Sequence, residues 1–271
     1  MAVTVKLYVV FHQKLFRELL RDLPVADRDS VVLWGVNERI AKELPDTEND
    51  PDFVGYRLVL EHKLPKYEPY WQRMAYCQTS CIFAVYQEKL HETADYVGMG
   101  QYDMKMRADT ISHIREKAER HPNVRWIFYE LSQPLHQALQ IGCEAYDGVL
   151  ADYNQFFNTS WTWATIMRHP RVSGFCPLLH TFVMPSEMYA RMVSWSYAYF
   201  SKVRESGLYP TKASQAEFSE RVLGFFLALE MFDQNVVAEK LHLDHQWPHF
   251  HDQVPFAGYK ERVAEPAAPA Q

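Results

Sequence analysis

The residues best suited to holding a hard cation stand at the end of one apolar run. In Asp95-Tyr96-Val97-Gly98-Met99-Gly100-Gln101-Tyr102-Asp103-Met104 polar side chains accumulate only at the end, where a strand of a parallel sheet presents a site. Divalent cations take carboxylate and carbonyl oxygens, and Mn²⁺ also accepts imidazole. Asp103 supplies one carboxylate. Gln101 stands where an Asp-x-Asp pair would put the other, so this pair holds Mn²⁺ or Mg²⁺ weakly and needs a further ligand. The densest histidine region, Leu241 to Asp252, contains His242, His245, His249 and His251. His249 and His251 are two apart and share one face of an extended stretch, so they are the expected imidazole ligands, against the plainer reading of the group as polar surface. The true Asp-x-Asp, Asp50-Pro51-Asp52, lies in a polar loop with no apolar strand before it and reads as solvated.

Proton transfer needs a carboxylate or imidazole held near the reacting hydroxyl. Glu230 and Asp233 are one helical turn apart on a stretch expected to be helical, and with Asp152 they are the candidate catalytic carboxylates. Taken singly, each also reads as a solvated helix residue or a helix cap. Asp152 belongs to an aromatic stretch, Tyr146 to Trp163, that mixes flat rings with amides and carboxylates. Such a mixture suits a carbohydrate, whose C–H faces pack on rings while its hydroxyls bond polar groups. The alternative is a core helix burying Phe156, Phe157 and Trp161.

These residues need a scaffold, and the pattern predicts α/β. Val3–Phe11 reads as a strand, Gln13–Leu23 as a helix with a leucine stripe, and Ser30–Val36 as a second strand. Such βαβ units pair strands in parallel and seat ligands beyond their carboxyl ends. Phe11 and His12 after the first strand, and Trp34 and Asn37 after the second, are therefore the expected nucleotide contacts, joined by Gln101 and Tyr102. A proline-punctuated excursion over 44–69 holds one short strand near Tyr56–Leu60. Helices are expected over Pro69–Leu90, Ala108–His121, Pro185–Val203 and Ser214–Leu241, and further strands at Val124–Tyr129 and Phe175–Met184.

The 271 residues, 48% of them hydrophobic, suffice for a single core. We expect one domain over 1–263 and a disordered Ala/Pro-rich tail over 264–271. With a net charge of −6 and no Lys/Arg cluster, nucleic acid is a poor partner. No apolar run is long enough for a membrane-spanning helix, and the first strand lacks the features of a signal peptide. Cys77, Cys81, Cys143 and Cys176 sit among apolar neighbours without paired spacing, which points to a reducing, cytoplasmic setting. Neither a glycine-rich phosphate loop nor a Gly-x-Ser-x-Gly elbow is present.

The run Asp95 to Asp103 resembles the "DYVG…-Y" strand of the capsular-polysaccharide-type glycosyltransferases long catalogued as a domain of unknown function. In that family the strand usually ends His-Tyr-Arg-Arg, where this chain has Gln101-Tyr102-Asp103-Met104. Leu64-Pro65-Lys66-Tyr67, Tyr70-Trp71, His180 to Met188, and Arg221, Gly224, Phe225 and Glu230 follow the same family in order and spacing. The chain is also similar to glycosyltransferases of large algal viruses, including a xylosyltransferase, which would set it in host-cell cytoplasm. This resemblance implies a single GT-A (Rossmann-like) domain, with a mostly parallel central sheet flanked by helices. It further implies a metal-dependent transfer of sugar from a UDP-linked donor (UDP-xylose or a UDP-hexose) to a glycan, in polysaccharide biosynthesis. Met231-Phe232-Asp233-Gln234-Asn235 is similar to the Asp-Gln-Asp helix start of glycogenin-like enzymes. There a later His, Gly and Lys close over the diphosphate, as the order His251, Gly258, Lys260 would. Two rival readings remain open: a non-catalytic carbohydrate-binding protein on a degenerate transferase fold, and a metal-dependent hydrolase using the histidine cluster with Asp244.

Overall fold

The computed structural model describes residues 2–11, 17–36, 53–73, 77–139, 144–206 and 212–245. His12, Asn37, His249, His251, Gly258 and Lys260, the Asp50 to Asp52 loop and the tail over 264–271 lie outside the described residues.

In chain order the strands are β1 (Val5–Phe11), β2 (Val31–Gly35), β3 (Arg57–Leu60), β4 (Tyr96–Gln101), β5 (Met104–Met106), β6 (Arg125–Gln133), β7 (Cys176–Pro185), β8 (Val236–Lys240) and β9 (Leu243–His245). The helices are α1 (Pro69–Arg73), α2 (Cys77–Gln87), α3 (Thr110–Arg120), α4 (Leu135–Leu139), α5 (Glu144–Phe157), α6 (Trp163–Arg168), α7 (Pro170–Ser173), α8 (Ser186–Ser206) and α9 (Lys212–Glu230). Seven strands form one sheet in the order β3-β2-β1-β4-β7-β6-β8. Every neighbouring pair is parallel except the two made by β7. An antiparallel ribbon of β5 and β9 stands apart from it.

Strands buried on both faces read as near-continuous apolar runs, and β1, Val-Lys-Leu-Tyr-Val-Val-Phe, is one. Its alternation sorts side chains onto two cores. Tyr8 and Val10 join Val32, Trp34, Val97 and Met99 on the face covered by α2, α8 and α9. Leu7, Val9 and Phe11 join Val31, Leu33 and Phe128 on the face covered by α3 and the β5–β9 ribbon. The result is an α/β sandwich, with the parallel strand ends of β1, β2 and β4 along one edge.

Two elements depart from the sequence reading. The helix expected to run to Leu241 stops at Glu230, where Met231, Phe232 and Asp233 donate to the carbonyls of Ala228, Leu229 and Glu230 at 3.1 Å each. Asp-Gln-Asn is turn chemistry, and the β-branched Val236-Val237 then pairs with β6, so Asp233 lies in a turn that leads into a strand and starts no helix. The helix expected over Gln13–Leu23 is, in its described part, a 3₁₀ turn at Arg17–Leu19, although Leu19, Leu20 and Leu23 are buried as the stripe implies.

The contact between β4 and β7 depends on a missing side chain. A Cβ at Gly98 would lie 2.5 Å from Val183 Cγ2 and 2.6 Å from Val183 Cα, and would also strike the Phe182 carbonyl. At Gly100 the nearest atoms would be 3.9 Å away, an ordinary contact. Overpacking costs about 1–3 kcal/mol and sometimes more, so Gly98→Ala is expected at or above that range and Gly100→Ala below about 1 kcal/mol. Urea denaturation of the two variants measures the difference.

Candidate functional site

At the carboxyl edge of the sheet, β1 and β2 are tied by Val36 N–H donating to the Phe11 carbonyl at 3.1 Å. β4 continues further, turning at Tyr102-Asp103 into β5, and the pairing of β5 with β9 sets Met104 opposite His245. That pairing brings together side chains 142 positions apart: His245 Nε2 lies 3.2 Å from Asp103 Oδ2. Asp103 is 3% exposed, and its Oδ1 is buried without a hydrogen-bond partner among the described residues. An orphaned carboxylate oxygen carries the full desolvation cost, and a cation would relieve it. Carboxylate with imidazole is a donor set for Mn²⁺ or Zn²⁺. No group of three His, Cys, Asp or Glu able to hold a metal forms among the described residues. Beside Asp103, the Tyr102 phenol is pushed up to about 12 by burial and by the Asp103 charge.

Gln101 is 8% exposed, and its amide donates to the Leu179 carbonyl. Leu179 and His180 both have left-handed backbones, φ 63° and 48°, where β7 shifts register against β6 between Tyr129 and Leu131. Non-glycine residues in that region are strained and persist only where their surroundings fix them. Here the fixing is a buried polar network. His180 is 4% exposed, with Nε2 3.1 Å from Thr79 Oγ1 and Nδ1 3.2 Å from Gln78 Oε1. Thr79 Oγ1 in turn lies 2.9 Å from Ser219 Oγ. With Gln78 Oε1 as acceptor, Nδ1 carries the proton and Nε2 accepts from the Thr79 hydroxyl. Burial pulls the imidazole pKa down to about 3, so the ring is neutral. Glu220 Oε2 approaches Nδ1 at 3.9 Å, and burial pushes its carboxyl up against the lowering pull of the Leu179 backbone N–H and Arg221.

Other expected site residues take different places. Trp34 is fully buried, with its indole N–H on Glu61 Oε2 at 2.7 Å and its ring edge-on to Tyr8. Phe11 is fully buried against the α3 layer. Strand alternation sends both side chains into the cores, so neither offers a ring to a nucleotide base, and only their backbones reach the edge.

The structure does not bring the three candidate catalytic carboxylates to Asp103. Glu230 and Asp233 precede β8, level with the start of β6, at the opposite edge of the sheet. The separation is at least the length of β4, roughly 17 Å at strand rise. There Glu230 lies 3.2 Å from Arg191 and 3.7 Å from Arg125, and Arg125 bonds Asp233 at 2.6 Å. The Asn235 backbone N–H and then Arg125 hold Asp233 below the usual carboxylate range, while burial pushes Glu230 up against the pull of the two arginines. Asp152 joins α5 to α8, accepting from Trp195 Nε1 at 3.1 Å and from Lys202 at 2.7 Å. The aromatic stretch is largely structural: Tyr153 is core, and Asn154 closes its loop by bonding Thr159 and Trp161. The histidine cluster also divides. His242 bonds Asp109 at 2.7 Å and stacks on His113, Asp244 pairs with Arg107, and of the described histidines of this cluster His245 reaches Asp103.

His245, His180 and Glu220 are the residues that sequence reasoning did not single out. His245 lay within the histidine group, and the β-branching of Val236-Val237 was the signal for the strand that delivers it. For Glu220 the one available signal is its place one turn before an apolar, glycine-containing helix end.

No family model matches the chain, and no curated protein matches its sequence. Among solved structures it is similar to the apo WbbM bifunctional glycosyltransferase, with TM-score 0.57 and 13% identity. That likeness covers 89% of this chain and 45% of WbbM, so the chain spans less than half the length of that structure. It is also similar to apo mouse xyloside xylosyltransferase 1, with TM-score 0.43, 14% identity, and 94% and 92% of the two chains covered. The fold is that of GT-A glycosyltransferases: a seven-stranded, mostly parallel sheet flanked by helices.

The His180 network sets a pH dependence. Its folded pKa lies below the unfolded value of about 6.5, so its contribution is complete above that value and is lost as pH falls toward about 3. The unfolded chain then binds the extra proton, and stability drops by up to about 1.4 kcal/mol per pH unit. Melting curves from pH 7.5 to 5 are expected to show a smaller acid loss for His180→Gln than for the parent.

Proposed function

We propose that the chain is a glycosyltransferase moving a sugar from a nucleotide-sugar donor, UDP-linked, to a glycan acceptor, with Mn²⁺ or Mg²⁺ at the diphosphate. The observation that carries this reading is Asp103, buried at the end of β4 with a free oxygen, with His245 delivered beside it by β9. Asp103 Oδ1 and His245 Nε2 would hold the cation, His249 or His251 remaining candidates for a further ligand. The cation's contribution is to neutralise charge on the diphosphate as it leaves. The protein's own part is positional. The tied ends of β1 and β2 offer backbone groups to the nucleotide, and Leu179 fixes the Gln101 side chain.

One carboxylate in place of two changes the order of binding. With a single negative ligand the protein alone would hold a divalent cation weakly, and the donor's phosphates would have to supply further oxygen ligands. His242 and Asp244 are engaged with Asp109 and Arg107, which disfavours the hydrolase reading among the described residues. The buried free thiols Cys81 and Cys176 suit a reducing, cytoplasmic setting, and no helix among the described residues is long and apolar enough to cross a membrane. Polysaccharide biosynthesis, with a xylose or hexose donor, is the context that the sequence resemblance favours.

A thermal-shift panel of UDP, GDP, CMP and UDP-sugars, each with Mn²⁺ or with EDTA, tests this. A ligand at about 100 times its Kd adds about 2.7 kcal/mol, several degrees for a chain of this size. Mn²⁺ alone and UDP alone are expected to shift the midpoint little, and the two together fully. Asp103→Asn should abolish the joint shift while keeping the unliganded midpoint within a few degrees. A folded protein that responds to no nucleotide sinks the transferase reading and leaves the glycan-binding one.

A further inference from the structure

We propose that Asp109 and Thr110, where β5 runs into α3, are positioning residues of the metal centre: they pin β9 in the register that turns His245 toward Asp103. The inference rests on the transferase reading above and concerns how its cation site is held. β9 has three residues, and its pairing with β5 sets Leu243, Asp244 and His245 opposite Met106, Lys105 and Met104. A two-stranded ribbon is marginal by itself. Its alternation matters, because Leu243 and His245 share one face and Asp244 takes the other. A slip of one residue would turn His245 away and bring Asp244 into its place, so contacts outside the ladder must fix the register.

The junction between β5 and α3 supplies those contacts. The Thr110 hydroxyl donates to the His242 carbonyl at 2.6 Å and accepts the Arg107 N–H at 2.9 Å. Thr110 is fully buried, so its two bonds face little competition from water. Asp109 Oδ2 lies 2.7 Å from His242 Nδ1, and a carboxylate, which only accepts, assigns that nitrogen the proton. Asp109 stands at the N-cap of α3, where an Asp ordinarily accepts a helix N–H. It makes no such bond and turns its carboxylate to His242 instead. The face of the His242 ring stacks on His113 of the same helix, with centroids 3.7 Å apart and planes 15° from parallel. On either side of His242, the Leu241 N–H donates to the Tyr129 carbonyl at 2.7 Å, and Arg107 Nε reaches Asp244 at 3.0 Å. His242 is thus held at its carbonyl, its ring edge and its ring face, three residues before His245.

The carboxylate and its clamp belong to one short stretch of chain, Asp103 to Thr110. Holding His242 against Thr110 therefore also sets where β9 stands relative to Asp103. A site with one carboxylate depends on that placement, since an imidazole is its second protein ligand. Outer groups that orient a metal ligand typically contribute about 10- to 100-fold in metal affinity.

The test uses the full chain with Mn²⁺ and UDP, at a temperature where every variant is folded, so that lost stability alone does not move the readout. Two signals are followed: the Kd of Mn²⁺ in the presence of UDP, and the nitrogen modulation of the Mn²⁺ spin echo, which reports a bound imidazole. The parent is expected to show the modulation and His245→Gln to lose it. Thr110→Val, which keeps the shape and removes the hydroxyl, and Asp109→Ala should each raise the Kd by about 10- to 100-fold and weaken the modulation. Thr110→Ser restores the hydroxyl and should stay within about threefold of the parent. Arg120→Gln, at the exposed far end of α3 and paired with Glu116, should match the parent. A rise below about tenfold in either clamp variant overturns the proposal, as does modulation that survives in His245→Gln. Should Thr110→Val fail to fold, Asp109→Ala decides, since that side chain is 56% exposed. A parent that takes up no Mn²⁺ with UDP overturns both readings, whereas clamp variants that match a Mn²⁺-binding parent overturn this one alone.

Discussion

The close approach of β4 and β7 at Gly98 is the constraint on which the rest of the molecule depends. β7 runs against both neighbours, so its far end delivers the chain back to the lower edge and starts α8 there. α8 and α9 can then pack in succession over one face of the sheet. A side chain at Gly98 would push β7 away at Phe182-Val183, three residues from the Leu179 bulge. Gly224 repeats the device one layer out: a Cβ there would meet Cys176 Sγ at 2.8 Å and the Pro177 carbonyl, so α9 too lies directly on β7. Two absent side chains thus set how closely β7 lies against β4 and α9 against β7.

Charge is distributed unequally between the two edges. At the lower edge Glu230, Asp233, Arg125, Arg171 and Arg191 satisfy one another, the usual condition for ions that lose water. At the upper edge the buried His180 network is neutral, Asp103 keeps an oxygen without a partner, and Glu220 has no cation among the described residues. Two consecutive non-glycine residues with positive φ lie between them. Burial without compensation and backbone strain both oppose folding, and their concentration where the parallel strands end is the pattern expected where a ligand supplies what is missing.

β1, β2, β4 and β7 were legible because each is a near-continuous apolar run buried on both faces of the sheet, whereas β8 and the β5–β9 ribbon were not read as strands. The end of α9 was not legible, since Val236 and Val237 continue its apolar stripe and only the turn chemistry of Asp233-Gln234-Asn235 marks the break. Trp34 resembled an exposed base platform until alternation placed it in the core, with Glu61 beneath its indole. Asp103 was identifiable from its place at a strand end. Which histidine meets it was not, because that depends on the register of β5 against β9, a pairing across some 140 residues that local spacing cannot display.

The amide at position 101 ties these parts together. A carboxylate there would complete an Asp-x-Asp, but it is only an acceptor and could give nothing to the Leu179 carbonyl. An Asp would also be one methylene shorter, and its charge would stand two residues from Asp103. The carbonyl of a strained residue would be left unpaired, at a cost of about 1–3 kcal/mol, at the point where the bulge needs support. The amide therefore gives up one anionic ligand and gains the bond that holds β7 to the end of β4. In the transferase reading that exchange shifts part of the cation's coordination to the donor phosphates. The departure from Asp-x-Asp is therefore consistent with a working centre and does not by itself imply decay.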